Sequence, residues 1–279
     1  MKMWSTPIRV LLIYLVVIAV LATINWSGQD VDLYLTLARN IGALFLSSWL
    51  TYELLNRVTG TRKTRWEHRV ISVLILFLLF DSLTPGWIFL LLGSATEVGQ
   101  RFLRFPTGPV LNPAALSVVL ISLFTGSLPT WWATNFGYRI IELMSVAAVL
   151  TFVIAGYVAY KYRKLWLVGA GAMAAAVGSL LILNNSPIYM LVDGTLAFFL
   201  LVMAIEPKTS PIIKREQVLF GGAVGGLAIL TLHLGWPEPF TMSLLLGNLI
   251  FNFYRNRSWL HKKLFFPPVV PHAPINESI

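Results

Sequence analysis

The stretch KYRKLWLVGAGAMAAAVGSLLILNNSP, residues 161–187, shows the pattern that decides the fold. Three basic residues, Lys161, Arg163 and Lys164, precede a long run without charges, and a neutral polar turn follows that run. An apolar run of about 20 residues can cross the hydrocarbon core of a bilayer as one helix. Basic residues collect on the cytoplasmic side of such helices, so this stretch predicts a helix that leaves the cytoplasm near residue 165.

The composition of the whole chain agrees with this pattern. Of its 279 residues, 57% are hydrophobic and only 12% are charged, and the mean hydropathy is +0.74. Soluble domains carry about 25% charged residues, so a soluble enzyme, a secreted disulfide scaffold and a classical DNA-binding domain are excluded. The chain has no cysteine, which excludes disulfides and thiolate metal sites. Its four histidines have no spacing typical of a metal site.

Ten apolar segments predict an all-α membrane protein with about ten transmembrane helices. They cover residues 8–25, 33–55, 69–83, 85–99, 112–127, 139–160, 165–184, 188–205, 217–234 and 240–254. We expect one polytopic membrane domain over residues 1–279, with one half at 8–127 and another at 139–254. Residues 255–279 are expected to form a basic and then proline-rich cytoplasmic tail.

The charges give the orientation of these segments. Every Lys and Arg except Arg39 and Arg139 falls on the side of the N-terminus, whereas the opposite loops are neutral or acidic. The net charge of +9 therefore follows the positive-inside rule and does not indicate a nucleic-acid partner. Both termini are predicted to be cytoplasmic. Five helices in each half would place the halves in opposite orientations, as in many transporters.

Two breaks in corresponding helices favour the inverted halves. The third segment ends in DSLTP (residues 81–85) and the eighth ends in EPKTSP (residues 206–211). Both breaks combine an acidic residue, hydroxyl groups and proline. Coincidence is the alternative explanation.

Ionisable groups at membrane depth are costly and usually face a protein interior or a water path. Four acidic residues are therefore candidates for an ion path, namely Glu142, Asp193, Asp81 and Glu206. The alternative is structural: Arg39 neutralises a carboxylate, or Asp81 and Glu206 lie at the headgroups. Glu53 and Glu97 are weaker candidates of the same kind.

Asn112 and Pro113 predict the start of a helix, because asparagine caps helices well and proline favours the first helical position. An aromatic and basic approach, RFLRFPTGP (residues 101–109), precedes it. The amino terminus of a helix can hold an anion, such as a phosphate or a flavin carbonyl. A plain capped helix start is the alternative. The glycines of two later segments indicate close helix packing.

Two stretches resemble the NqrB/RnfD family of membrane subunits, found in sodium-translocating NADH:quinone reductase and the Rnf complex. They are RFLRFPTGPVLNPAALSVVL (residues 101–120) and DGTLAFFLLVMAIEPKTSP (residues 193–211). The matching positions are Asn112, Pro113, Ala114, Met203, Ala204, Pro207, Thr209, Ser210 and Pro211. The turn at residues 236–239, followed by Met242 and LGN (residues 246–248), also resembles the family. Ile205 and Glu206 replace the usual Thr-Asp.

The resemblance implies ten helices in two inverted halves, a fold shared with urea transporters, and a bound flavin. The family's Ser-Gly-Ala-Thr attachment motif is absent from the expected interval, so FMN or riboflavin is expected to bind without a covalent bond. The residues implied for the flavin are Arg104, Asn112, Pro113, Thr134, Thr209 and Ser210. The implied partners are other membrane and soluble subunits, the lipid bilayer, and Na⁺ or H⁺, in a bacterial inner membrane.

The leading hypothesis is a compact, divergent membrane subunit of a flavin-dependent electron-transport complex that moves Na⁺ or H⁺. Such a chain is not catalytic alone. A passive channel or transporter for a small solute or ion, on the same fold and without a redox cofactor, is the second hypothesis. A scaffold that has lost both activities is the third.

Overall fold

The computed structural model describes residues 7–27, 30–60, 66–105, 108–134, 142–183 and 194–257. Within these ranges the chain forms ten helices and one short hairpin. The helices are α1 Pro7–Ser27, α2 Val31–Thr59, α3 Trp66–Leu79, α4 Gly86–Phe102, α5 Pro113–Thr125, α6, α7 Leu165–Ile182, α8, α9 Lys214–His233 and α10 Pro239–Arg255. The hairpin pairs β1 Arg104–Phe105 with β2 Gly108–Pro109 in antiparallel register.

Helices α6 and α8 each contain a π-helical turn. Helix α6 runs through Glu142–Leu150, a π-helical turn at Thr151–Ala155 and a final segment at Gly156–Lys161. Helix α8 begins as Gly194–Phe198 and ends in a π-helical turn at Phe199–Met203. Such turns interrupt the regular hydrogen bonding of a helix and often occur at functional sites.

The prediction of an all-α protein is confirmed, and each predicted apolar segment corresponds to one helix. In the described part of the chain, three helical segments are long and apolar enough to cross a membrane, namely Pro7–Asn25, Leu165–Ile182 and Lys214–His233. Large apolar side chains also cover the outer surface; Leu181, Leu219 and Ile250 are each at least 66% exposed. Large exposed apolar side chains are typical of surfaces that contact a membrane or another protein.

Glycines allow two helix pairs to approach closely. Gly93 places α4 against α2, where a Cβ atom would overlap the Ser47 hydroxyl. Gly221 and Gly225 place α9 against α7, where Cβ atoms would overlap the carbonyl oxygens of Leu167 and Gly171. Small residues at such contacts are the usual means of packing helices within membranes.

Candidate functional site

The start of α5 and the end of α8 meet through Asn112. The Asn112 side chain caps α5 by accepting a hydrogen bond of 3.0 Å from the backbone N–H of Ala115, with Pro113 in the first turn. Its amide nitrogen donates a second hydrogen bond, of 3.3 Å, to the carbonyl oxygen of Met203. One buried side chain therefore joins two helix ends. We call the contact of residues 110–113 with residues 203–211 the junction.

The turn after α8 is held by its own acidic and hydroxyl groups. Thr209 donates its hydroxyl to the Glu206 carboxylate at 3.1 Å, and Ser210 donates its hydroxyl to the Glu206 carbonyl oxygen at 2.7 Å. Both Thr209 and Ser210 are at most 1% exposed. These contacts fix the turn that follows the interrupted helix.

Two further side chains tie this turn to the rest of the bundle. Lys164, which precedes α7, donates from Nζ to the carbonyl oxygens of Ser210, at 3.2 Å, and Pro211. Asn252 of α10 donates to the carbonyl oxygens of Val110, at 2.8 Å, and Thr209, at 3.4 Å. The junction is thus a meeting point of four helices.

A cavity of about 50 Å³ lies at the junction. Its polar lining consists of His68, Ser72, Gln100, Asn112, Glu206 and Lys208. A buried water needs about 10–15 Å³ of such volume, so the cavity fits a few waters or a hydrated ion. Burial raises the pKa of Glu206, although Lys208 and the Thr209 hydroxyl act in the opposite direction.

Lys164 is 2% exposed. Burial lowers the pKa of Lys164 to about 8, and the positive charge of Arg255 adds to this effect. Its ammonium group nevertheless has carbonyl partners at Ser210 and Pro211. Lys164 therefore holds the turn after α8 through these hydrogen bonds. Its charge can change near pH 8.

The six residues implied for flavin occupy different places. Asn112, Pro113, Thr209 and Ser210 lie at the junction. Arg104 is exposed in the hairpin, opposite Pro109. Thr134 lies beyond the far end of α5, where its buried hydroxyl donates to the Trp131 carbonyl oxygen at 3.1 Å. The hydrogen bond described for the Thr134 side chain goes to Trp131 and not to a residue of the junction.

The junction does not fit a flavin ring. Sites for small organic ligands enclose about 300–1,000 Å³, whereas this cavity has about 50 Å³. The Asn112 amide and the hydroxyls of Thr209 and Ser210 are also engaged in hydrogen bonds within the protein. The junction as it stands therefore leaves no space for an isoalloxazine ring.

Asp81, a candidate for the ion path, has a structural role at the end of α3. Its carboxylate accepts hydrogen bonds from the backbone N–H groups of Leu83 and Thr84 and from the Thr84 hydroxyl, at 3.0 to 3.3 Å. The break at residues 81–85 is therefore a turn built on Asp81, and the same carboxylate is 6% exposed.

Of the other acidic candidates, the structure describes the side chains of Glu206 and Glu97. Glu206 lines the junction cavity. Glu142 begins α6, but its side chain falls outside the described part of the structure, as does all of Asp193. Glu97 is buried in α4, where it accepts a hydrogen bond of 2.7 Å from Ser48 of α2. Arg39 is exposed on α2.

Sequence reasoning missed Glu238 as a candidate site residue. Glu238 precedes α10, is 3% exposed and contacts the Thr241 hydroxyl at 3.4 Å and the Trp131 side chain by a hydrogen bond. Burial raises the pKa of Glu238 to about 8. The sequence did contain a signal for Glu238: it is an acidic residue between two prolines, and the other loops on that side are mostly neutral.

Trp131 adopts a left-handed backbone conformation, with φ of 53°. Its indole ring packs edge-on against Phe240 at 5.4 Å, next to Phe199 of α8. Such a conformation is uncommon for a bulky residue and costs about 1–3 kcal/mol, so it persists only where surrounding contacts enforce it. These contacts of Trp131 hold the segment after α5 in place next to Glu238.

In comparisons with known proteins, no family model matches this chain, and no curated protein is significantly similar to it.

Proposed function

We propose that this chain is the ion-translocating membrane subunit of a flavin-dependent electron-transport complex of the NqrB/RnfD kind. The observation that carries the proposal is the Asn112–Met203 hydrogen bond. It joins the two stretches on which the family resemblance rests, although they lie far apart in the sequence. Asn112 belongs to one of these stretches and Met203 to the other. Their contact beside a polar cavity supports a common site for the two stretches.

The proposal includes ten membrane spans in two inverted halves, with both termini in the cytoplasm of a bacterial cell and the bundle in the inner membrane. Repeated helix packing supports it. Helix α2 packs on α4 as α7 packs on α9, and α4 contacts α5 as α9 contacts α10. Contacts of α1 with α6 and of α5 with α10 bring two of the five counterpart pairs together, as expected of helices beside an axis that relates the halves.

The two helix breaks support the same relation between the halves. At the end of α3, the Asp81 carboxylate accepts a hydrogen bond from the hydroxyl of Thr84. After α8, the Glu206 carboxylate accepts a hydrogen bond from the hydroxyl of Thr209. In both breaks the acceptor precedes the hydroxyl by three residues, and α3 and α8 hold the third position in their halves. Transporters place ion sites at such interrupted helices.

Within this proposal the chain moves Na⁺ or H⁺ through the polar interior, and partner subunits supply electrons. The small junction cavity favours an ion or water in this place. A non-covalent FMN or riboflavin stays a prediction for the assembled complex, since the junction itself does not fit the ring. The visible absorption spectrum of the chain, purified alone and with its partner subunits, tests that prediction.

The test of the function uses the complex in proteoliposomes, with redox-driven ion uptake measured beside electron transfer. Glu206→Gln keeps a carbonyl acceptor for Thr209 but removes the charge, so ion uptake per electron is expected to fall several-fold while assembly persists. Asp193→Asn and Glu142→Gln are expected to act in the same direction. Asp32→Asn, at an exposed carboxylate in the first turn of α2, is the matched control. Unchanged coupling in all three variants would contradict the proposal.

The cavity dimensions also favour a second candidate function, a passive channel or transporter for a small solute or ion. Space for a few waters suits permeation without a redox cofactor. Flux into proteoliposomes that contain this chain alone separates the two functions. Flux without electron donors favours the channel, and uptake that requires the complete complex favours the redox-driven subunit.

A further inference from the structure

A stripe of asparagines runs along α10. Asn248, Asn252 and Asn256 follow one another at intervals of four residues, and each is at most 3% exposed. Side chains four residues apart lie on the same face of a helix, one turn above the next. Glu238 and Thr241, near the start of α10, continue this line of buried polar groups beyond the apolar Leu244. The asparagine stripe is therefore a polar track inside an apolar bundle.

Asn248 is the unusual member of the asparagine stripe. It is fully buried, and neither its amide nitrogen nor its amide oxygen has a hydrogen-bond partner among the described residues. An unpaired buried amide costs about 1–3 kcal/mol, so native proteins pair such groups with protein, water or an ion. The Asn248 amide thus marks a position that a water or a small ion can satisfy.

Asn252 supplies a second ligand atom one turn away. Its amide nitrogen is committed to the carbonyl oxygens of Val110 and Thr209 at the junction. These bonds fix the plane of the amide, and its oxygen has no hydrogen-bond partner among the described residues. Because the Asn248 amide can turn by 180°, the two side chains offer a pair of neutral oxygens.

We propose that Asn248 and Asn252 bind a small monovalent cation inside the bundle, a site that deepens the proposed function and names the ion path as the face of α10. Neutral amide oxygens suit a hard monovalent cation, whereas Ca²⁺ and Mg²⁺ sites use carboxylates. The cation would complete its shell with water and backbone carbonyl oxygens. This assignment rests on ion translocation as the proposed function, but its test does not require transport.

The test measures thermal unfolding of the purified chain in detergent as Na⁺ replaces choline at constant ionic strength. A bound ion stabilises the folded state in proportion to its occupancy, so Na⁺ is expected to raise the midpoint by about 3 °C or more. Asn248→Leu removes both amide atoms at similar volume and is expected to abolish this rise. Asn248→Asp retains an oxygen ligand and adds a negative charge, so it is expected to enlarge the rise.

Asn40→Leu is the matched control. Asn40 of α2 is also fully buried, with both amide atoms lacking a partner among the described residues, so it reports the general effect of removing a buried amide. It is expected to keep the wild-type response to Na⁺. A Na⁺ response of wild-type size in Asn248→Leu, or no response in the wild type, would overturn the site.

The outcome separates the site from the function. A Na⁺ response that depends on Asn248, in a complex that moves no ions, supports the site and refutes the proposed function. Normal coupled transport by Asn248→Leu refutes the placement of this site on the ion path and leaves ion translocation in place.

Discussion

The amide nitrogen of Asn112 donates a hydrogen bond of 3.3 Å to the carbonyl oxygen of Met203, 91 positions later in the chain. The same side chain caps α5 by accepting from the Ala115 N–H. Asn112 therefore couples the start of one helix to the end of an interrupted one. The Met203 carbonyl, at the end of the π-helical turn of α8, accepts a backbone hydrogen bond of 3.5 Å from the Glu206 N–H, and Asn112 adds a second.

Substitutions of Asn112 should distinguish the stability that comes from capping α5 from the stability that comes from the hydrogen bond to Met203. Asn112→Ala loses both hydrogen bonds and is expected to lower the free energy of unfolding by about 2 kcal/mol. Asn112→Ser keeps a capping oxygen but is too short to reach Met203, so it is expected to lose about half as much. Thermal unfolding in detergent measures both. Equal losses in the two variants would show that the Met203 contact contributes nothing.

Helix α9 carries glycines on two faces, and alanine substitutions on these two faces should have different effects on stability. A Cβ atom at Gly225 would overlap the Gly171 carbonyl oxygen of α7, so Gly225→Ala is expected to destabilise the protein by about 1–3 kcal/mol. At Gly222 no atom lies within 4 Å of the added Cβ, and alanine favours the helix by about 1 kcal/mol.

Gly222→Ala is therefore the control for Gly225→Ala, because both variants lie on α9 and add one methyl group. Unfolding midpoints of the two purified variants provide the measurement. A loss of stability in Gly222→Ala as large as in Gly225→Ala would refute close packing of α7 on α9.

Glu238 should make stability depend on pH. Burial raises the pKa of Glu238 to about 8 from an ordinary value of 4.5, so the folded state binds this proton more tightly than the unfolded state. The resulting stability is complete below pH 4.5 and is lost as the pH rises through about 8. Glu238→Gln mimics the protonated carboxyl and is expected to be more stable than the wild type at pH 8, by a few kcal/mol at most.

The measurement for Glu238 is the difference in unfolding midpoint between Glu238→Gln and the wild type from pH 5 to pH 9. This difference is expected to grow with pH. Gly222→Ala, which changes no titratable group, is the control and should give a difference that does not vary with pH. A flat difference for Glu238→Gln would mean that the carboxyl is ionised in the folded protein at neutral pH.

Lys164 should give a dependence of opposite sign. Burial lowers the pKa of Lys164 to about 8 from 10.5, so the charged lysine opposes folding. The wild type is expected to gain stability as the pH rises from about 8 towards 10.5, by up to about 3 kcal/mol. Lys164→Met removes the titrating group and should lack this gain.

The control for Lys164 is Lys161→Met, since Lys161 is exposed at the end of α6 and close to Lys164 in the chain. Unfolding midpoints between pH 7.5 and pH 10 provide the comparison. Parallel pH curves for the wild type and Lys164→Met would contradict a buried, titrating lysine at the junction.

The sequence by itself determined where the helices form. Apolar runs bounded by basic or turn-forming residues, such as residues 165–184 between Lys164 and Asn185, predicted each helix of the structure. This succeeds because an apolar run and its flanking charges are local properties of the chain. The helix start at Asn112 and Pro113 was equally local, since capping involves only residues three positions apart.

Only the tertiary structure decided which polar groups share a site. It joined Asn112 to Met203, buried Glu238 beneath Trp131 and separated Thr134 from Thr209. It also buried Asn248 without a partner among the described residues. Sequence patterns fix the face of a helix but not its neighbour, because the contacts between helices depend on their rotation and crossing. The π-helical turns of α6 and α8 add to this, since each rotates the side chains that follow it.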